Sequence, residues 1–140
     1  MPFEVLDHTA DVGLQATGGS IEEAFGEAAR GLFSVMVDIE AVRRCVAHPV
    51  HVEAVSYEDL LVEWLGELVA QRELSGLVFS EFEVRISDRA GRVVLDGIAR
   101  GEPLDPAVHR AAAEVKGISY LGLAVRRLAD GWSVRCVVDV

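Results

Sequence analysis

The chain has 140 residues, and its 13 Lys and Arg against 23 Asp and Glu give a formal charge of −10. A chain of this length with 51% hydrophobic residues can bury one core, which excludes disordered, collagen-like and low-complexity classes. The acidic balance argues against strong direct binding to nucleic acid or to an anionic membrane surface, because both depend on lysine and arginine.

The first half of the chain predicts strand, helix, strand, helix. Apolar residues alternate over 12–16, as in a half-buried strand, and the strand ends in a glycine turn. Ser20 begins a capping-box sequence followed by apolar residues at helical spacing. A second alternating segment, 48–54, precedes a weaker capping box that begins at Ser56 and a second helical stripe.

The second half is typical of strands. Apolar residues alternate over 82–86, and Asp88–Gly91 turns the chain into 93–95, which predicts a hairpin. Gly101–Pro106 is expected to interrupt the sheet and to lead, through Asp105 and Pro106, into one helical turn before His109.

Strands over 118–127 and 132–138 are expected to close the chain, with a turn at Asp130–Gly131. No internal repeat or long linker divides the sequence. The fold class predicted from this order is α+β, a single domain over 1–140 with two main helices packed on a largely antiparallel β-sheet.

The sequence also suggests a location. The N-terminus lacks a basic segment followed by an apolar run, and no stretch is long and apolar enough to span a membrane. We expect a soluble, cytoplasmic protein. Cys45 and Cys136 have no CxxC companion and are expected to be reduced.

The densest polar cluster lies near the start, at Asp7, His8 and Asp11. Carboxylates and an imidazole this close in sequence can converge on a divalent cation. Equally, Asp7 and Thr9 can simply cap a tight turn. At the other end, Asp139 adjoins the Val140 carboxylate, and these charges either extend into water or meet a cation.

Asp11 and Asp139 would meet if the last strand pairs beside the 12–16 strand. A third cluster contains Glu102, Asp105 and His109, since residues four apart can meet across one helical turn. His48 and His51 have no acidic or cysteine partner at ligand spacing, and we assign them no role.

Taken together, these segments resemble the archease family. The resemblance runs in collinear order along nearly the whole chain, through Phe3–Asp11, Ser20–Phe25 continuing to Ala29–Phe33, Leu60–Leu65, Gly101–Glu102 with Asp105 and His109, Glu114–Lys116, and Asp139. It implies a protein cofactor, not an enzyme, that activates the manganese- and GTP-dependent tRNA-splicing RNA ligase by promoting its guanylylation and multiple turnover.

The resemblance also implies a site that binds a divalent metal ion, which is calcium, magnesium or manganese. By position, Asp11 and Asp139 are the expected ligands, and Asp7, His8 and the Val140 carboxylate are their neighbours. Contacts with the ligase are expected from Lys116, Glu102, Asp105 and His109. One departure is Leu121, which follows Ser119 and Tyr120 where the family pattern leads us to expect a Thr-Tyr-His run.

Two other functional classes stay open at this stage. A small hydrolase could use Asp105 with His109, or Asp7 with His8, as an acid–base pair. No nucleophile or anion-binding loop accompanies either pair in the sequence. A chaperone-like binding module is the other class, and it would expose a sizeable apolar patch.

Overall fold

A computed structural model describes residues 2–7 and 11–140, with the backbone alone at Leu6 and Asp7. The strands are β1 (Phe3–Asp7), β2 (Asp11–Gly18), β3 (Val46–Ala54), β4 (Leu77–Arg89), β5 (Arg92–Pro103), β6 (Gly117–Leu128) and β7 (Gly131–Asp139). The helices are α1 (Ile21–Met36), α2 (Tyr57–Ser75) and the short α3 (Pro106–His109), with a 3-10 turn at Ile39–Ala41.

Helix α1 begins at the predicted cap. The Glu23 N–H donates to Ser20 Oγ (3.1 Å), and Glu23 Oε2 accepts from the Gly19 N–H (2.9 Å). The return bond of this capping box therefore reaches one residue further back than the usual pattern, in which the N-cap N–H is the donor. The start of α1 could be predicted from the sequence because the capping residues and the backbone N–H groups that they satisfy are neighbours in the chain.

Helix α2 also begins and ends where local chemistry requires. Ser56 Oγ accepts from the Asp59 N–H (3.1 Å), and Gly76 closes the helix at φ 71°. Glycine takes this left-handed conformation without a Cβ penalty. Of the helices in the described part of the chain, none has the length and apolar content to cross a membrane.

The strands are divided between two antiparallel sheets, which confirms the α+β class. One sheet has the order β1-β2-β7-β6, and the other has the order β3-β5-β4. Helices α1 and α2 each contact strands of both sheets and bury one continuous apolar core there. The helix pair is therefore enclosed by two sheets instead of resting on one, an arrangement that short-range patterns do not reveal.

The observed strands differ from the sequence prediction in two places. Strand β1 was not predicted, because its five residues carry no sustained alternation. Gly101 does not interrupt the sheet, since β5 continues to Pro103. Gly101 instead lies where β4 shifts register, and a Cβ there would overlap the Val78 carbonyl oxygen. Its lack of a side chain permits close approach of two backbones.

Strand β6 contains an irregularity beside the proposed site. Ser119 pairs with Val137, and the next pair is Ala124 with Arg135, so β6 holds extra residues between them. Leu121 lies in this bulge with 70% of its surface exposed, and its N–H donates to Ser119 Oγ (3.0 Å). The departure at Leu121 therefore places an apolar side chain in solvent.

Candidate functional site

The candidate site begins with a carboxylate pair at one end of the four-stranded sheet. Strands β2 and β7 are antiparallel neighbours, and their register sets Asp11 directly opposite Asp139. Since the termini of these strands meet, residues 128 positions apart in sequence become cross-strand partners. The last strand therefore pairs beside the 12–16 strand, as the meeting of Asp11 and Asp139 requires.

The pair has an electrostatic cost. Side chains directly opposite in an antiparallel pair have Cβ atoms about 5 Å apart, and like charges at that position are destabilising. Both aspartates are half-buried. Within the described ranges, no lysine or arginine forms an ion pair with either carboxylate. A cation would relieve this repulsion.

The donor chemistry fits a hard divalent ion. Carboxylate oxygens are the ligands that calcium, magnesium and manganese prefer. No group of three His, Cys, Asp or Glu side chains in the described residues is arranged to hold a metal. Asp11 and Asp139 thus contribute two carboxylates at this end of the sheet.

The remaining N-terminal candidates are only partly described. The backbone of Asp7 pairs with Val12, one position beyond Asp11 in β2. His8 lies outside the described residues. Their expected part beside the metal therefore remains a prediction from the sequence.

Lys116 is held next to the carboxylate pair by its backbone. Its N–H donates to the Asp139 carbonyl oxygen (2.8 Å), just before Gly117 enters β6 opposite Asp139. The side chain is exposed. A flexible cationic group is thus tethered at the same sheet end and is available to an incoming partner.

Glu102 and His109 form a buried connection. His109 is 1% exposed, and its Nε2 lies 2.8 Å from Glu102 Oε2. The Asp105 N–H donates to His109 Nδ1 (2.9 Å), so the ring carries its proton on Nε2 and donates it to Glu102. The Arg43 N–H, followed by the His109 ring, holds the pKa of Glu102 below its ordinary value.

Asp105 contacts His109 as expected from the sequence, but with its backbone instead of its side chain. The contact comes from the Asp105 backbone, while its carboxylate caps α3 by accepting from the N–H groups of Ala107 (3.1 Å) and Val108 (3.5 Å). A side chain that is 1% exposed is not a surface contact, so the expectation that His109 directly contacts a partner is corrected. The same burial removes the Asp105–His109 pair as accessible acid–base machinery.

This connection positions the segment that leads to Lys116. The His109 carbonyl accepts from the Asp38 N–H (2.7 Å), and the Ala112 N–H donates to the Met36 carbonyl (2.8 Å). Val115 is then buried immediately before Lys116. Glu102, Asp105 and His109 therefore fix the approach of the 110–116 segment to the carboxylate pair.

Sequence analysis missed the surroundings of one histidine. His51 Nδ1 lies 2.6 Å from Asp96 Oδ1, and its Nε2 lies 2.9 Å from Glu53 Oε2. These bonds, with Asp96 first, raise the pKa of His51. The contact with Glu53 could have been predicted from the sequence, since residues two positions apart share a strand face. Asp96 becomes a neighbour only through the β3–β5 register.

Comparison with known proteins decides the family. Residues 3–140 match the model of the Archease protein family (MTH1598/TM1083). The chain belongs to the archease family. An archease from Pyrococcus furiosus is 38% identical over 139 residues, which cover 99% of this chain and 98% of that protein.

Solved structures agree with the archease fold. The solution structure of Methanobacterium thermoautotrophicum protein 1598 has a TM-score of 0.88 and 29% identity, and covers 99% of both chains. The crystal structure of a Thermotoga maritima archease, called a possible chaperone, has a TM-score of 0.61. It is 18% identical and covers 98% of this chain and 96% of its own, so it supports the fold alone.

Proposed function

We propose that this archease-family chain is a non-enzymatic activator of the tRNA-splicing RNA ligase, and that its working end is the Asp11–Asp139 pair. The observation that carries the proposal is the register that sets these two carboxylates opposite each other at the end of the sheet. Family membership supports the partner, because the resemblance to archeases implies this ligase.

Asp11 and Asp139 would hold the divalent cation between them. When bound, a divalent cation supplies positive charge that neutralises phosphate oxygens during nucleotidyl transfer. The chain's own residues do the remaining work. The paired strands fix the carboxylates relative to each other, and the buried Glu102–His109 connection fixes the segment that carries Lys116.

The charge of −10 supports association with a basic surface. An acidic protein is steered toward a cationic cleft, and this steering weakens as salt screens it. Activation is therefore expected to fall with ionic strength. The same charge disfavours direct competition for the RNA substrate, which is itself anionic.

The decisive experiment measures formation of the guanylylated ligase at limiting manganese, with and without this protein. Asp11→Ala and Asp139→Ala are expected to abolish stimulation because each removes one of the two paired carboxylates. Asp88→Ala is the matched control, since Asp88 lies at the end of β4 opposite the apolar Val93. Full stimulation by both site variants would remove the carboxylate pair from the mechanism.

A further inference from the structure

A groove runs along the exposed face of α1, away from the carboxylate pair. It has a volume of about 990 Å³ and is walled by β4 on one side and by the β6–β7 turn on another. Gly18 and Trp132 pair at this end of β2 and β7, whereas Asp11 and Asp139 pair at the other. At about 3.3 Å per residue, the two ends of β2 are roughly 23 Å apart.

The floor of the groove is open because Gly26 has no side chain. A Cβ at this position would meet only the Phe82 carbonyl oxygen, at an ordinary contact distance of 3.7 Å. Packing therefore does not demand glycine here, although glycine is among the weakest helix formers. The apolar residues Phe82 and Trp132 line the groove together with Gly26.

The rim of the groove is strongly acidic. The carboxylates that line it belong to Glu22, Glu23, Glu27, Glu40, Glu81 and Asp130. Arg30 and Arg44 are the basic residues in the lining, and Arg44 is already paired with Glu81. The groove therefore keeps an excess of negative charge beside an apolar floor.

Arg30 lies near two carboxylates without forming a hydrogen bond to either. Its guanidinium nitrogens lie 3.7 Å from Glu27 Oε2 and 3.7 Å from Glu40 Oε1, which is too long for a hydrogen bond. Glu27 Oε2 is buried and accepts no hydrogen bond from the described residues. The Glu40 side chain is 84% exposed, so its carboxylate is open to a further cationic donor.

We propose that this groove binds an extended basic peptide segment of a partner protein, in which arginine or lysine alternates with aliphatic residues. Alternation would send apolar side chains to the Gly26 floor and cationic side chains to the rim. One wall is formed by β4, an edge strand of its sheet, and extended peptides add to such edges. The acidic rim disfavours nucleic acid.

The groove contains its own optical reporter. The chain has two tryptophans, and Trp64 is fully buried with its Nε1–H donating to the Phe25 carbonyl (3.0 Å). Trp132 is half-buried and lines the groove. A change in tryptophan emission on titration with ligand would therefore report occupancy next to Trp132.

The test titrates the full chain with a short peptide of alternating arginine and valine, using tryptophan emission. We expect saturable binding, weakened at least about tenfold by Gly26→Leu, which fills the floor. The matched control is Gly66→Leu in α2, where a Cβ meets nothing within 4 Å, and binding should be unchanged.

A second pair of variants tests the rim. Glu22 and Glu58 each lie in the first turn of a helix, two residues after a capping serine, and only Glu22 lines the groove. Glu22→Lys should weaken binding by about fivefold and Glu58→Lys should not, because a surface ion pair contributes modestly.

Three results would overturn the proposal. They are an absence of saturable emission change at millimolar peptide, equal weakening by Gly26→Leu and Gly66→Leu, and equally tight binding of a glutamate–valine peptide or of single-stranded RNA. Asp139→Ala should bind the basic peptide like the unmodified protein, so this result is independent of the proposed ligase site.

Discussion

We predict that Asp139→Asn raises the stability of the protein without a cation and lowers its relative stability when the cation is bound. Asp139→Asn removes one of two like charges about 5 Å apart across β2 and β7. At that separation, repulsion is about 1 to 3 kcal/mol for an effective dielectric constant between water and a protein surface. We take the low end, about 1 kcal/mol, because the charges lie beyond the Cβ atoms and solvent still reaches both side chains.

The assay is thermal unfolding followed by circular dichroism. In EDTA at low salt, Asp139→Asn should melt about 3 °C higher than the unmodified protein, since about 1 kcal/mol shifts a domain of this size by that amount. At a cation concentration of about 100 times Kd, binding should stabilise the unmodified protein by about 2.7 kcal/mol and the variant by much less. The order of the two melting temperatures should therefore invert.

Asp88→Asn controls for the loss of a charge at a strand end, because its cross-strand partner is Val93. It should neither melt higher in EDTA nor lose stabilisation by calcium or manganese. The reasoning is refuted if Asp139→Asn is no more stable than the unmodified protein in EDTA, or if the cation stabilises both equally.

Other residues give further tests. His109→Ala should lower the free energy of unfolding in urea by about 2 to 4 kcal/mol, because it opens a cavity and leaves the Glu102 carboxylate without its ring partner. NMR titration should give His51 a pKa above 6.5, and Asp96→Asn should lower it. Because the pKa of His51 is raised on folding, the stabilisation from its bonds to Asp96 and Glu53 is fully present below pH 6.5. It is lost as the pH rises through the folded-state pKa. Gly101→Ala should destabilise by about 1 to 3 kcal/mol, since its methyl group would overlap a β4 carbonyl.

Controls separate these effects from general damage. Gly66→Ala, where a Cβ meets nothing, should stabilise by about 1 kcal/mol through helix propensity. His48 has no side-chain hydrogen bond among the described residues, so His48→Ala should cost less than His109→Ala. A cost for His109→Ala below about 1 kcal/mol, or an unchanged pKa of His51 in Asp96→Asn, would contradict the roles assigned here.

Local chemistry made the helices and the hairpin predictable. Ser20 and Ser56 begin α1 and α2 with hydrogen bonds to residues three positions ahead, and Gly76 ends α2 with its own backbone conformation. The turn before Arg92 likewise joins β4 to β5 through adjacent residues. Such signals act within a few residues, so no knowledge of the remainder of the fold was needed.

Side-chain partners were harder to predict, even where their residues were singled out. Asp105 and His109 do meet, but through a backbone N–H, because the Asp105 carboxylate is used to cap α3. Sequence spacing brings two residues together without saying which atoms make the contact. For the same reason, the burial that removes His109 from any partner surface could not be read from its position.

The sequence by itself determined the α+β class, both main helices and the acidic character of the chain, because periodicity, capping and charge are properties of neighbouring residues. Only the tertiary structure decided that the strands divide into two sheets, that Asp11 lies opposite Asp139, and that an acidic groove opens beside Gly26. The physical reason is that strand register and helix packing join residues far apart in the chain, and the free energy that selects those contacts comes from burying the shared core.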